Sequence, residues 1–251
     1  MRRVLMGLSI LCLLSGAAAA DFIDLPVKYG QTPWDPDAYG SMDNVWTSTW
    51  EDYLLVCDDF TCTSPAPILA VRWWGSYGAD PQGYKQFSYP GYIYRMGIAF
   101  HVSVMPEGEE HPWSQPGTRV YNEIVLAQRV FDGFDGRNQA VYRYDAYLPV
   151  PFDQREYSQG GIDENQIPGE LWVAIYKETT GWGWRECVAP HPRLDHAAWL
   201  MGTDRATFWE HAHDLDGYTD MAFELITPEP ATMALLGLGI VGLVLKRRRC
   251  R

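Results

Sequence analysis

The sequence predicts an all-β protein, an antiparallel β-sandwich of jelly-roll-like form set between an N-terminal signal peptide and a single C-terminal transmembrane helix. Three observations point there. Between residues 51 and 226 the chain breaks into short β-forming runs separated by Gly, Pro and Asp, helical periodicity is nearly absent, and both chain ends pair an apolar run with a basic cluster. No internal repeat is evident.

At the N-terminus, Arg2 and Arg3 precede an apolar run from Val4 to Leu14, and small residues follow from Ser15 to Ala20. This is the pattern of a secretory signal peptide (residues 1–20) cut between Ala20 and Asp21. Cys12 follows Leu11 where lipidation needs a small residue, so a lipoprotein reading is set aside. Residues 21–50 are rich in Pro, Gly, Asp and Trp without steady periodicity and are expected to form an irregular lead-in to a sandwich domain over 51–226.

Within that domain the expected strands are 52–60, 68–74, 92–105, 120–131, 139–148, 170–177, 182–187 and 219–226. Alternation is clearest in the third, where Ile98, Phe100, Val102 and Val104 interleave with Ala99, His101 and Ser103. In 170–177, Leu171, Val173 and Ile175 share one face and Trp172, Ala174 and Tyr176 the other. Short helical turns are expected only at 196–202 and 207–213. Asp132, Gly133, Asp135 and Gly136 read as a β-turn between two strands.

The tail, 227–251, reads TPEPATMALLGLGIVGLVLKRRRCR. Ala231 to Leu245 carries no charge and, at about 1.5 Å per residue, covers about 22 Å, a short membrane helix whose flanks must snorkel. Lys246, Arg247, Arg248 and Arg249, followed by Arg251, form a cytoplasmic stop signal. Pro228, Glu229 and Pro230 ahead of that helix and arginine block closely resemble the PEP-CTERM sorting signal of exopolysaccharide-producing Gram-negative bacteria. The resemblance implies recognition by exosortase, a membrane-embedded cysteine peptidase, and export with sorting to the envelope. Two prolines hold the triplet extended and remove two N–H donors, which suits a peptide presented to a protease.

Composition narrows the function. The chain carries a formal charge of −12, and the exported part holds 13 Lys and Arg against 31 Asp and Glu. So acidic a domain repels phosphate backbones, which excludes nucleic acid as a partner. Cys57, Cys62 and Cys187 remain in an oxidising compartment. Cys57 and Cys62 on one extended strand lie about 16 Å apart, too far for a bridge, so a disulfide from Cys187 to either is the expectation.

Four short patterns, CDDFTCTS at 57–64, WWGSYG at 73–78, GWGWRE at 181–186 and TDMAFELIT at 219–227, resemble an uncharacterised family of exported bacterial and archaeal proteins common in planctomycetes. The resemblance implies a β-sandwich and no established activity. The chain departs from it at Cys57, where the family more often has a small apolar residue.

Candidate sites are few. Asp214, Asp216 and Asp220 in HDLDGYTD supply carboxylates around a glycine turn and are the best Ca²⁺ candidate, beside the alternative of an Asx-stabilised turn. Asp58 and Asp59 point to opposite faces of a strand, as a cation ligand or as hydrogen-bonded structural groups. Histidines 191, 196, 211 and 213 lack the pattern of a zinc site, and no G-x-S-x-G nucleophile is present. The chain's 11 Trp and 15 Tyr are more informative, because aromatic side chains on a strand can stack on sugar rings. Trp74, Trp182 and Trp184 are the nominated ligand-binding residues, with core packing as the alternative. No resident cofactor is required. The expected function is a non-catalytic surface or matrix protein that binds polysaccharide. A secreted glycan hydrolase and a Ca²⁺-stabilised structural module are the alternatives.

Overall fold

The computed structural model describes residues 26–31, 45–47, 55–61, 65–77, 93–105, 113–134, 140–177, 182–185, 187, 197–203, 206–211, 213–214, 217–218 and 220–227. The signal peptide, the sorting triplet, the membrane helix, the basic tail and Asp216 lie outside them. Among the described residues no helix is long and apolar enough to cross a membrane.

All eight expected strands are present, several of them longer than their sequence pattern. They are β3 (Leu55–Thr61), β4 (Ile68–Tyr77), β5 (Ile93–Val104), β6 (Gln115–Phe134), β7 (Ala140–Phe152), β8 (Gln166–Tyr176), β9 (Trp182–Arg185) and β14 (Phe223–Ile226). The expected lead-in contributes strands too, β1 (Val27–Gln31) and β2 (Val45–Thr47). Two segments expected to be helical turns form instead a β-hairpin of β10 (Ala198–Thr203) and β11 (Ala206–His211). The local helix preference of Ala, Leu and Met there yields to pairing, because β10 also docks on β3 with Ala198 opposite Cys57. A two-residue pair, β12 (His213–Asp214) and β13 (Gly217–Tyr218), stands apart from the main sheet.

The main sheet runs β1-β14-β4-β7-β6-β5-β8-β3-β10-β11, and every pairing is antiparallel. The pairings nest: β5 with β6, β4 with β7, β3 with β8, and then β14 and β1 outside β4. That is the strand order of a jelly roll, with β1-β14-β4-β7 forming one layer and β6-β5-β8-β3 the other. The sheet closes on itself, since rings far apart in this order touch: Phe60 on β3 lies 6.4 Å from Phe223 on β14 and 6.0 Å from Tyr29 on β1. Between the layers Phe100 stacks on Phe152 at 4.3 Å, and within one layer Trp73 on β4 stacks on its β7 partner Tyr144 at 5.6 Å.

β6 belongs to both layers. Its residues from Gln115 to Gln128 pair with β5, and those from Gln128 to Phe134 pair with β7. A strand of 20 residues is about 66 Å of extended chain, so it turns the corner of the sandwich and carries its far end beyond the core.

The alternation read in β5 and β8 holds, with Ile98, Phe100, Val102, Leu171, Val173 and Ile175 all in the main core. Their opposite face is buried as well. Leu55, Cys57, Ala99, Trp172, Ala174, Tyr176 and Ala198 form a second cluster there. The outer face of the other layer is polar, a row in which Glu224, Arg72 and Asp145 sit opposite one another on β14, β4 and β7. Arg72 bonds both carboxylates, at 2.7 Å to Asp145 and 2.9 Å to Glu224.

Candidate functional site

The four short sequence patterns meet at one place. Asp58 on β3 is fully buried; its Oδ1 accepts the Asp59 N–H at 2.9 Å and its Oδ2 accepts the Met221 N–H at 2.6 Å. The Ala222 N–H donates to the Arg185 carbonyl at 2.7 Å, and the Ala222 carbonyl accepts the Trp184 indole N–H at 2.8 Å and the Trp74 backbone N–H at 3.3 Å. Arg185 then donates through Nε to Ser76 Oγ at 2.8 Å, and Ser76 donates to the Ala140 carbonyl. Residues of CDDFTCTS, WWGSYG, GWGWRE and TDMAFELIT thus form one hydrogen-bonded junction that leads into β14.

Its electrostatics follow from burial. The Asp58 carboxyl is held well above the usual carboxylate range by desolvation, then by Asp220 and Asp59, and its two N–H donors offset this only in part. The Tyr29 hydroxyl is pushed up by burial and by the same three carboxylates. Burial and Asp58 also raise the Cys57 thiol, which keeps it protonated and unreactive.

Several nominated residues change role here. Trp182 and Trp184 are 1% and 0% exposed and face the core, so neither offers a ring to a ligand. Trp182 lies over Gly75, where a Cβ would sit 2.6 Å from the indole, and meets Tyr144 edge-on at 6.0 Å. Trp74 is 6% exposed, and its indole N–H is engaged by Asp132 Oδ2 at 2.7 Å. Gly75 thus makes room for the Trp182 ring to pack. Asp214 pairs with Gly217 in the β12–β13 hairpin, while Asp220 is buried in the junction beside Asp58. Among the described residues no group of three or more His, Cys, Asp or Glu is placed to hold a metal ion. Of the two bridges open to Cys187, the one to Cys57 is not formed, and Cys62 lies outside the described residues. Cys57 packs in the second cluster, on the opposite side of β3 from the main core.

On the outer side of β5 and β8, Ser103 donates to Glu170 at 2.6 Å and accepts the Trp172 indole N–H at 3.0 Å. His101 bonds the Gly117 carbonyl through Nδ1 at 3.0 Å, and burial brings its pKa down from 6.5 to about 4. These are packed polar groups that hold the layer together.

Accessible aromatic surface lies elsewhere, at the far end of β6. Phe131 and Phe134 are 54% and 56% exposed, 5.2 Å apart, and Phe131 lies 5.9 Å from Tyr142. Residues three apart on a strand normally face opposite ways. A β-bulge between Phe131 and Gly133, with Gly133 at φ +142°, inserts one extra residue and turns Phe134 to the side of Phe131. Asp132 and Gly133, expected in a turn, are therefore strand residues that aim these rings. Two residues before Phe131, Arg129 lies against two tyrosines, 4.7 Å from the Tyr94 ring and 4.3 Å from the Tyr142 ring. The sequence signal was the pair of phenylalanines around Asp-Gly; without the register, it reads only as a turn.

One family model, described as Domain of unknown function (DUF7901), matches residues 27–226, well over half of the chain. The chain belongs to that family. The DUF7901 match begins at the first residue of β1 and ends at the last of β14, so the family unit is the whole jelly roll. A second model, the PEP-CTERM protein-sorting motif, matches residues 227–249 directly after it. The protein is therefore an exported DUF7901 protein sorted by exosortase through a C-terminal membrane-anchored signal. No curated protein and no solved structure matches the chain.

Proposed function

We propose that this DUF7901 domain is a non-catalytic polysaccharide-binding module, displayed at the cell envelope or in the extracellular matrix by its PEP-CTERM tail, with the basic cluster on the cytoplasmic side until processing. The observation that carries the reading is the exposed Phe131–Phe134 pair beside Tyr142. Such rings in water are costly unless they meet a partner, and flat apolar faces with polar neighbours are what sugar rings stack on. A hydrogen-bonded strand pair holds them, so little order is lost on binding.

A glycan array and affinity gels with the full chain, scored for retention and for release of reducing ends, test this. Retention without turnover that is lost in Phe131→Ala/Phe134→Ala supports it. Turnover of a retained glycan would replace it with a hydrolase, and no retention of any glycan would remove it.

A further inference from the structure

Arg129 sets this end of the sandwich apart from the rest of the molecule. The exported part has 31 acidic side chains for 13 basic ones, so a basic residue easily finds a carboxylate. Arg72 has Asp145 and Glu224, Arg143 has Asp145, and Arg155 has Asp153. Arg129 is only 8% exposed, has no carboxylate among the described residues, and its Nη1 is buried without an acceptor. Burial, and after it repulsion by Arg129, lowers the Lys177 pKa, which places a second cation near Arg129.

Further inward, two indole N–H groups are buried in the core. Trp73 Nε1 and Trp182 Nε1 are also buried without an acceptor among the described residues. Both indoles touch the Tyr144 ring, which meets Tyr94 edge-on at 5.9 Å, and Tyr94 is one of the two rings flanking Arg129. Buried N–H donors are nearly always matched, and leaving one unmatched costs about 1–3 kcal/mol. The two indoles are closed in the core with the Tyr94 and Tyr144 hydroxyls, so it is the Arg129 Nη1 donor, at the end of the sandwich, that a ligand oxygen would satisfy. Contacts with both the Tyr94 and Tyr142 rings hold the guanidinium in place, a group whose fork of donors suits bidentate recognition of a carboxylate.

We infer that the β6–β7 end is a site for carboxylated sugars, in which Arg129 binds the uronate carboxylate and Phe131, Phe134 and Tyr142 stack on the ring. This deepens the glycan-binding reading and rests on it. The surrounding acidic surface repels a polyanion, so contact is confined to this end and to a few sugar units.

Affinity electrophoresis of the full chain in mild detergent, through gels containing polygalacturonate, dextran or polyglutamate, tests the inference. Polygalacturonate is expected to retard the protein most. Arg129→Met should weaken that interaction about tenfold, far more than any dextran retardation, Arg129→Lys should retain part of it, and Phe131→Ala should weaken both glycans. Quenching of tryptophan fluorescence by galacturonate but not galactose in the unaltered protein gives the same answer should Arg129→Met fail to fold. Equal retardation by dextran and polygalacturonate, unmoved by Arg129→Met, would overturn the carboxylate assignment and leave the glycan reading standing. Retardation by polyglutamate as strong as by polygalacturonate would overturn it in favour of an acidic peptide. No retardation by either glycan would overturn both.

Discussion

Asp58 on β3 accepts the backbone N–H of Met221 at 2.6 Å, a bond between residues 163 apart that pins one layer of the jelly roll to the strand entering the other. Removing its carboxyl takes an acceptor from two buried N–H groups, those of Met221 and Asp59. Asp58→Ala is expected to destabilise the domain by about 2–4 kcal/mol, while Asp58→Asn, which keeps an acceptor, should cost less. Urea denaturation of the three proteins compares them directly. Equal midpoints for Asp58→Ala and the unaltered protein would show that the bond contributes nothing.

The same carboxyl gives stability a pH dependence of definite sign. Because the folded state holds Asp58 above its ordinary value of 3.8, it binds the proton more tightly than the unfolded chain does. Its stabilising contribution is complete below 3.8 and is lost as pH rises through the folded pKa. Melting temperature should therefore fall over that interval, and Asp58→Asn should flatten the slope. An unchanged slope in Asp58→Asn would assign it to other groups.

His101 acts in the opposite direction. Its pKa is lowered from 6.5 to about 4, so its contribution is present above 6.5 and is lost as pH falls toward 4. Its imidazole carbon resonances are expected to keep their neutral shifts down to about pH 5. A midpoint near 6.5 in that NMR titration would show that the ring is accessible to water.

Gly97 on β5 sits opposite Tyr176 on β8, and a Cβ there would lie 2.0 Å from the tyrosine ring, whose hydroxyl is bonded to Asn122 at 2.8 Å. Gly97→Ala must push the ring off and should cost about 1–3 kcal/mol. Gly97→Ala with Tyr176→Phe should recover part of the loss by freeing the ring from Asn122. Thermal melts of the single and double variants decide this, and a Gly97→Ala melt equal to that of the unaltered protein would rule the clash out.

At the exposed end, Phe131→Ala and Phe134→Ala should change stability by at most about 1 kcal/mol, since each ring is more than half in water. A loss of several kcal/mol on chemical denaturation would make these rings part of the core. For the tail, Glu229→Ala is expected to leave unprocessed protein in the membrane fraction, read by immunoblot. Normal release would dissociate the Pro-Glu-Pro triplet from sorting.

Strand positions were legible because alternation in β5 and β8 reports the core face directly, and the tail was legible because its parts lie in sequence order. Facing was harder. Trp172, Trp182 and Trp184 are all buried, yet local pattern assigns Trp172 to the outer face and says nothing of Gly75 making space for Trp182. Layers covered on both sides blur the distinction between inside and outside, and Cys57 shows this, buried on the side that Val56 does not face. The site at Phe131 was invisible for a related reason. One bulge residue reverses which side Phe134 faces, and no single-strand period reports a bulge.

The order of the strands also sets the mechanics of attachment. β14 lies between β1 and β4, and the sorting signal begins at the residue after its end. While the protein is anchored, any drag on the domain is delivered to a strand hydrogen-bonded on both sides and clamped at its entry by Asp58 and Trp184. The load is shared between two ladders before either can shear. A cut at the triplet would take no strand residue with it, because β14 ends at Ile226, and a module released that way would keep both ladders that resisted the pull.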